Sequence, residues 1–163
     1  MVELRIVTKD QLEVLGNLFE YYVYEFSPIL QIDVSKNGKY GFTKIHDYFT
    51  YDRYHPYFIL SEEKLIGFCI VEKVSDQEFD YRIDQFFILK KYGNRGLGSK
   101  AATKIFDLFK GKWQITQTET NYRAQAFWRK LIKEYSNNQF SEFYDSNRRS
   151  IQTFSNDKPQ KML

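Results

Sequence analysis

Cysteine is almost absent from this chain. Cys69 is the single one in 163 residues, which excludes an intramolecular disulfide and points to a reducing compartment. It lies in the apolar run Leu65-Ile66-Gly67-Phe68-Cys69-Ile70-Val71 and reads as a core residue. Charge of one sign is lacking too: 24 Lys and Arg stand against 21 Asp and Glu, a formal net charge of +3. Apart from Lys90, Lys91 and Arg95 the basic residues are scattered, so no nucleic-acid partner is expected, because that asks for a clustered basic footprint. No stretch approaches membrane-spanning length and the first residues hold no apolar signal region. A cytoplasmic location with no membrane contact is therefore expected. Only two histidines occur, His46 and His55; both read as structural or surface residues, and no His/Cys/carboxylate spacing suggests a metal.

Aromatic residues are plentiful, with 13 Tyr and 15 Phe. They imply an aromatic-packed core, and some of the tyrosines are candidates to line a ligand slot. The length fits one domain over residues 1–155, followed by a frayed polar tail over 156–163. Residues 2–7 alternate as a strand, and Thr8-Lys9-Asp10-Gln11 has the form of a capping box. Leu12, Leu15, Phe19, Tyr22, Val23 and Phe26 follow at helical spacing, and Pro28 is expected to stop that helix. Residues 29–42 read as a loop and 43–50 as a short helix. Strands are predicted at 57–60, 65–74 and 82–89, the first two joined by a polar turn. A helical stripe from Leu97 to Phe109, a strand at 113–118, a second stripe from Ala124 to Tyr135 and two short strands near 140–144 and 150–154 complete the chain. A strand–helix–strand unit attached to an antiparallel meander makes a mixed α/β sheet.

The informative segment runs from Phe86 to Lys100. A buried strand feeds a basic loop with glycines at 93, 96 and 98, and a helix starts inside it. The first helical turn leaves N–H groups without internal partners and carries partial positive charge, and glycines let a ligand approach the backbone. That combination suits a phosphate or pyrophosphate. A P-loop is excluded, because Ser99-Lys100 inverts the required Lys-Ser/Thr order. Gly96-Leu97-Gly98-Ser99-Lys100-Ala101 matches the dinucleotide pattern G-x-G-x-x-A, with Glu119 ending the next strand. Against that reading, residues 90–95 separate Leu89 from Gly96, whereas a dinucleotide turn leaves its strand almost directly.

A third pattern covers more of the chain. Gly93-Asn94-Arg95-Gly96-Leu97-Gly98 resembles the acetyl-CoA loop Q/R-x-x-G-x-G/A of the GNAT-superfamily N-acetyltransferases. Asn121-Tyr122-Arg123-Ala124-Gln125-Ala126-Phe127-Trp128 is similar to that family's N-x-x-A-x-x-F-Y. The resemblance runs from Ile83 to Tyr135, with both motifs in the family's order. It departs at Gly93, usually Gln or Arg, and at Trp128, where a tyrosine often protonates the leaving thiolate. An indole N–H donates a hydrogen bond but is no acid near neutral pH.

The resemblance implies a mixed, largely antiparallel sheet with helices on both faces, and transfer of acetyl from acetyl-CoA to a primary amine in a ternary complex. The acceptor would be a small molecule or a peptide, and the protein a monomer or homodimer. Pyrophosphate would rest on the amides of Asn94, Arg95, Gly96, Leu97, Gly98 and Ser99, with Gly93 part of the same cofactor-binding loop. The pantetheine arm would add to the main chain at Phe87 and Ile88, and Asn121 and Phe127 would flank the cofactor's far end. An ammonium acceptor needs a base. Asp84, a carboxylate in an otherwise apolar strand, is either that base or an ion-pair partner for Arg82 or a neighbouring strand. Glu119 is the second candidate base, or a solvated carboxylate at a helix start. Tyr135 and Tyr144 are candidate acids. Tyr21, Tyr24 and Glu25 on the first helix suit an acceptor ammonium by charge and cation–π attraction. A non-catalytic acetyl-CoA sensor and a dinucleotide oxidoreductase are the alternatives.

Overall fold

A computed structural model describes residues 1–157. The chain folds into strands β1 Val2–Ile6, β2 Tyr54–Ser61, β3 Lys64–Lys73, β4 Tyr81–Ile88, β5 Lys112–Gln117, β6 Ser141–Tyr144 and β7 Ser150–Ser155. Its helices are α1 Leu12–Leu30, α2 Asp47–Thr50, α3 Leu97–Leu108 and α4 Tyr122–Tyr135. The seven strands follow the order β1-β2-β3-β4-β5-β7-β6 in one mixed sheet. Two compact units share it: Met1–Glu72 with Asp84–Ala101, and Lys73–Ile83 with the chain from Ala102 onward.

In the first unit β1, β2 and β3 pair antiparallel, with Val2 opposite Ser61 and Tyr57 opposite Cys69. Residues 66–71 of β3 are all buried, which is why its sequence is a continuous apolar run rather than an alternation. Helix α1 buries Leu15, Leu18, Phe19 and Val23, the spacing of one helical face. The Phe19 ring stacks on Phe42 and on Phe68, each at 4.4 Å between centroids. Burying one such ring contributes about 1.5–3 kcal/mol. At Gly67 β4 lies close against β3: a Cβ there would lie 2.0 Å from the Phe87 carbonyl oxygen. Only a residue without a side chain fits.

Pro28 does not stop α1; it lies inside it. Proline removes the N–H that would reach the carbonyl of Tyr24. Ser27 Oγ donates to that carbonyl instead, at 2.7 Å, so the turn survives. The helix ends at Gln31, whose φ of 53° is left-handed and whose N–H donates to the Ser27 carbonyl at 2.8 Å. At its other end a 3₁₀ turn over Lys9–Gln11 precedes α1. The expected capping box between Thr8 and Gln11 is present: the Thr8 N–H donates to Gln11 Oε1 at 3.1 Å, and the Thr8 hydroxyl also reaches Asp10.

In the second unit β5 runs parallel to β4 at Tyr81↔Trp113 and Arg82↔Gln114, and antiparallel to β7. Phe106, Trp113, Phe154 and Tyr135 form its aromatic core, with Phe106 4.9 Å from Trp113 and 5.1 Å from Tyr135. The fully buried Gln152 and its neighbour Gln117 exchange side-chain hydrogen bonds of 2.8 and 2.9 Å. Asn156, expected to begin a frayed tail, is instead anchored. Its Oδ1 accepts from the Gly111 N–H at 2.8 Å, and its Nδ2 donates to the Phe106 carbonyl at 2.7 Å. Of the expected tail, residues 158–163 lie outside the described residues.

Candidate functional site

The glycine-rich loop belongs to the first unit. After β4 the Leu89 N–H donates to the Ile66 carbonyl at 2.8 Å, and a 3₁₀ turn over Lys90–Tyr92 follows. The Gly93 N–H is used within that turn, donating to the Lys90 carbonyl at 3.1 Å. Asn94 (φ 59°) and Gly96 (φ 72°) are both left-handed, a backbone conformation that also occurs in anion-binding backbone concavities. Helix α3 then starts at Leu97, and the first paired amide is that of Lys100, on the Gly96 carbonyl at 3.1 Å. Among the described residues, the amides of residues 94–99 donate to no backbone carbonyl. Asn94, Arg95 and Gly96 are exposed, and a Cβ on Gly96 would meet nothing within 4 Å. The Lys91 ammonium and Arg95 guanidinium lie 5.5 and 6.0 Å from the Tyr92 ring centre, close enough for cation–π attraction. The donor set is open, positive and free of side-chain obstruction at Gly96. It fits a diphosphate.

Asp84 is mostly buried, its side chain 14% exposed. Lys44 Nζ donates to Oδ1 at 3.0 Å and Tyr48 Oη donates to Oδ2 at 2.7 Å. The ion-pair partner is therefore neither Arg82 nor a strand residue. Lys44 arrives from the 3₁₀ turn Thr43–His46, while Arg82 turns to Gln114 at 2.7 Å and Asp76 at 3.3 Å. The Lys44 ammonium also sits 5.2 Å from the ring centre of Tyr54 and 5.7 Å from that of Tyr48. Beside it, Tyr22 donates to Gln85. Burial raises the pKa of Tyr22 and Tyr48, and the nearby Asp84 charge raises both further. Burial pulls the Lys44 pKa down, but its hydrogen bond and charge pairing with Asp84, with help from Tyr54, outweigh that and the net shift is upward.

The other expected site residues stand on several elements. Phe87 is buried and Ile88 half-buried at the end of β4. Tyr21, Tyr24 and Glu25 lie on the exposed face of α1, the two tyrosine residues 59% and 69% exposed. Tyr22 and Phe26, 4.6 Å apart, turn inward as the core stripe requires.

In the second unit Glu119 lies just past β5 and pairs with Arg148 Nη1 at 3.2 Å, half-exposed. Asn121 caps α4, its Oδ1 accepting from the Ala124 N–H at 3.2 Å. Phe127 packs edge-on against Trp128 at 5.0 Å, and Trp128 itself is a core side chain. Tyr135 donates to Asp107 Oδ1 at 2.8 Å and accepts from Asn156; Tyr144 is exposed. Cys69 is fully buried, and burial pushes its thiol pKa up, the environment of an inert core cysteine.

Sequence reasoning missed Lys44, Tyr48 and Glu20. The Glu20 carboxylate accepts from the N–H groups of Tyr40 and Gly41, both at 2.9 Å, and so ties the end of the loop after α1 to the helix. Nothing local marks Lys44.

A mixed seven-stranded sheet with a glycine-rich loop opening a helix after β4 defines the class as an acyl-CoA N-acyltransferase fold. The sequence profile of the acetyltransferase (GNAT) family matches residues 20–132. The chain belongs to that family, and the dinucleotide oxidoreductase reading falls away. None of the curated proteins matches it in sequence. Among solved structures it is similar to an acetyltransferase from Thermus thermophilus, at 14% identity and a TM-score of 0.71, covering 95% of this chain and 97% of that one. The ribosomal-protein-S18-alanine N-acetyltransferase of Escherichia coli is similar at 14% identity and TM-score 0.65, covering 100% and 99%. The PaiA N-acetyltransferase of Thermoplasma acidophilum, solved in complex with coenzyme A, follows at 15% and 0.63, covering 95% and 99%. At these identities the likeness is one of fold. Among the described residues no helix is long and apolar enough to cross a membrane.

Proposed function

We propose that this chain, acting as one domain over residues 1–155 in the cytoplasm, transfers the acetyl group of acetyl-CoA to a primary amine on a small molecule or peptide. The observation that carries the reading is the run of amides over residues 94–99 without backbone partners, in a segment whose sequence resembles the family's cofactor loop. Those amides, with Lys91 and Arg95 braced on Tyr92, would hold the diphosphate. Gly93 contributes room rather than its N–H, which is already used. Bound acetyl-CoA supplies the acetyl group as a thioester. The main chain at Phe87 and Ile88 orients the arm that carries it, strand-fashion. Asn121 and Phe127 are further candidate contacts, assigned by the family motif.

Asp84 is the favoured base. Its Oδ1 already accepts a hydrogen bond from a primary ammonium, that of Lys44, which is the geometry needed to receive an acceptor's proton. Glu119, paired with Arg148 and half-exposed, is the weaker candidate. Tyr21, Tyr24 and Glu25 offer the acceptor an exposed aromatic and acidic face.

Calorimetry with acetyl-CoA tests the loop. Wild type should bind, and Gly96→Val, which forces a side chain onto a left-handed residue, should weaken binding at least about tenfold, or ~1.4 kcal/mol. No heat of binding with the wild-type chain would end the proposal. A second reading, an acetyl-CoA-binding protein without catalysis, is favoured by Trp128 in the place of an acid and by both Asp84 oxygens being engaged. Thiol release across polyamines, aminoglycosides, amino acids and peptides separates the two.

A further inference from the structure

Asp84 already holds an amine, and that amine belongs to the chain. Lys44 Nζ lies 3.0 Å from Asp84 Oδ1 and sits over the rings of Tyr54 and Tyr48. A carboxylate beside aromatic faces is the recognition chemistry for a primary ammonium. Lys44 is not sealed away, since 37% of its side chain is exposed. It is also not held by a helix of its own, because it stands in the short 3₁₀ turn Thr43–His46.

We propose that Lys44 is a self-acetylation site: the chain modifies its own Nζ in cis, with Asp84 as the base. The inference rests on the N-acetyltransferase reading above. The balance is simple. The Lys44 ammonium gives one proton to Asp84 Oδ1, which passes it to solvent. The freed lone pair forms the C–N bond to the thioester carbonyl carbon, the C–S bond breaks, and a second proton from Nζ goes to the departing thiolate. The products are N-acetyl-Lys44, coenzyme A as thiol, and one proton.

The product differs in charge from the starting side chain. An acetylated Lys44 is neutral and cannot pair with Asp84, so the carboxylate loses its counter-ion and becomes free to receive an amine from outside. The same cage that binds Lys44 would then stand open to an acceptor. Lys44 thus occupies the acceptor's place until it is modified.

The test needs no knowledge of the natural acceptor. The full chain is incubated with acetyl-CoA, and acetylation at every lysine is followed by peptide mass spectrometry, beside the same chain unfolded in urea. Calorimetry with acetyl-CoA is run on the same preparation. Lys44 should be labelled at least about a hundredfold faster in the folded chain than in urea, the size of effect a positioned base supplies. The rate per chain should not change with protein concentration. Asp84→Asn, checked for folding by circular dichroism, should lower the Lys44 rate toward that of the unfolded chain. Binding of acetyl-CoA with Lys44 labelled no faster than in urea overturns this inference alone. Absence of binding overturns the N-acetyltransferase reading and this one with it. Labelling whose rate per chain rises with protein concentration overturns the claim of reaction in cis.

Discussion

Tyr48 Oη donates to Asp84 Oδ2 at 2.7 Å, so a carboxylate on β4 is tied to a buried tyrosine of α2. Tyr48→Phe keeps the ring contacts with Phe19 and Tyr54 and removes the hydroxyl, with its donation to Asp84 and its hydrogen bond with Gln85. A hydrogen bond to a charged group contributes about 1.5–3 kcal/mol. Urea denaturation should show the unfolding free energy lowered by ~2 kcal/mol with the m-value unchanged. An unaltered midpoint would mean that water replaces the hydroxyl.

The same pair governs alkaline stability. Tyr48 and Tyr22 have pKa values raised from 10.0 by burial first and then by Asp84. Above about pH 10 the unfolded phenols lose protons that the folded ones keep, so the unfolded state binds fewer protons and stability falls as pH rises. Unfolding free energies measured from about pH 9 to about pH 11 should therefore decline. The decline should be shallower in the double variant Tyr22→Phe/Tyr48→Phe. An equal slope in both proteins would place the titration elsewhere.

Gly67 fixes the spacing of β3 and β4. A methyl group there would collide with the Phe87 carbonyl at 2.0 Å and approach Ile88 Cα at 3.1 Å. Gly67→Ala must shift one strand, at a cost of about 1–3 kcal/mol. Phe87 and Ile88 are the proposed partners of the cofactor's arm, so acetyl-CoA affinity should also fall, by about tenfold. A thermal melt with and without acetyl-CoA reads both effects. Loss of stability with unchanged ligand shift would restrict Gly67 to the fold.

Glu25 is exposed on α1, so its removal should cost the fold little. Glu25→Ala is expected to raise the acceptor KM about tenfold through loss of charge attraction, and to leave the acetyl-CoA KM unaltered. Steady-state kinetics with each substrate varied in turn provides the comparison. Equal changes in the two constants would remove Glu25 from acceptor binding.

The sequence carried the architecture well where neighbours along the chain decide it. The run 66–71 announces a strand buried on both faces, and the spacing of Leu15, Phe19 and Val23 announces a helix. The start of α3 was legible because the glycines at 93, 96 and 98 are a local signal. Pro28 misled because its repair is made by an ordinary serine: Ser27 supplies the hydrogen that proline lacks. Asp84 was recognisable as an unusual carboxylate, but its partner stands 40 positions away. A residue such as Arg82, two positions distant, was the natural guess, and no spacing rule reaches Lys44. Glu20 escaped for the same reason, its two amide donors lying 20 and 21 positions along the chain.

Asn156 sets a practical limit on shortening the protein. Its amide side chain imitates a stretch of backbone, filling the Gly111 N–H and the Phe106 and Phe109 carbonyls at once. A version trimmed after Ser155 would leave those groups to find water at the end of α3, where Phe106 and Trp113 sit in the dry interior. Any deletion series or fusion joint at this end should therefore leave Asn156 in place.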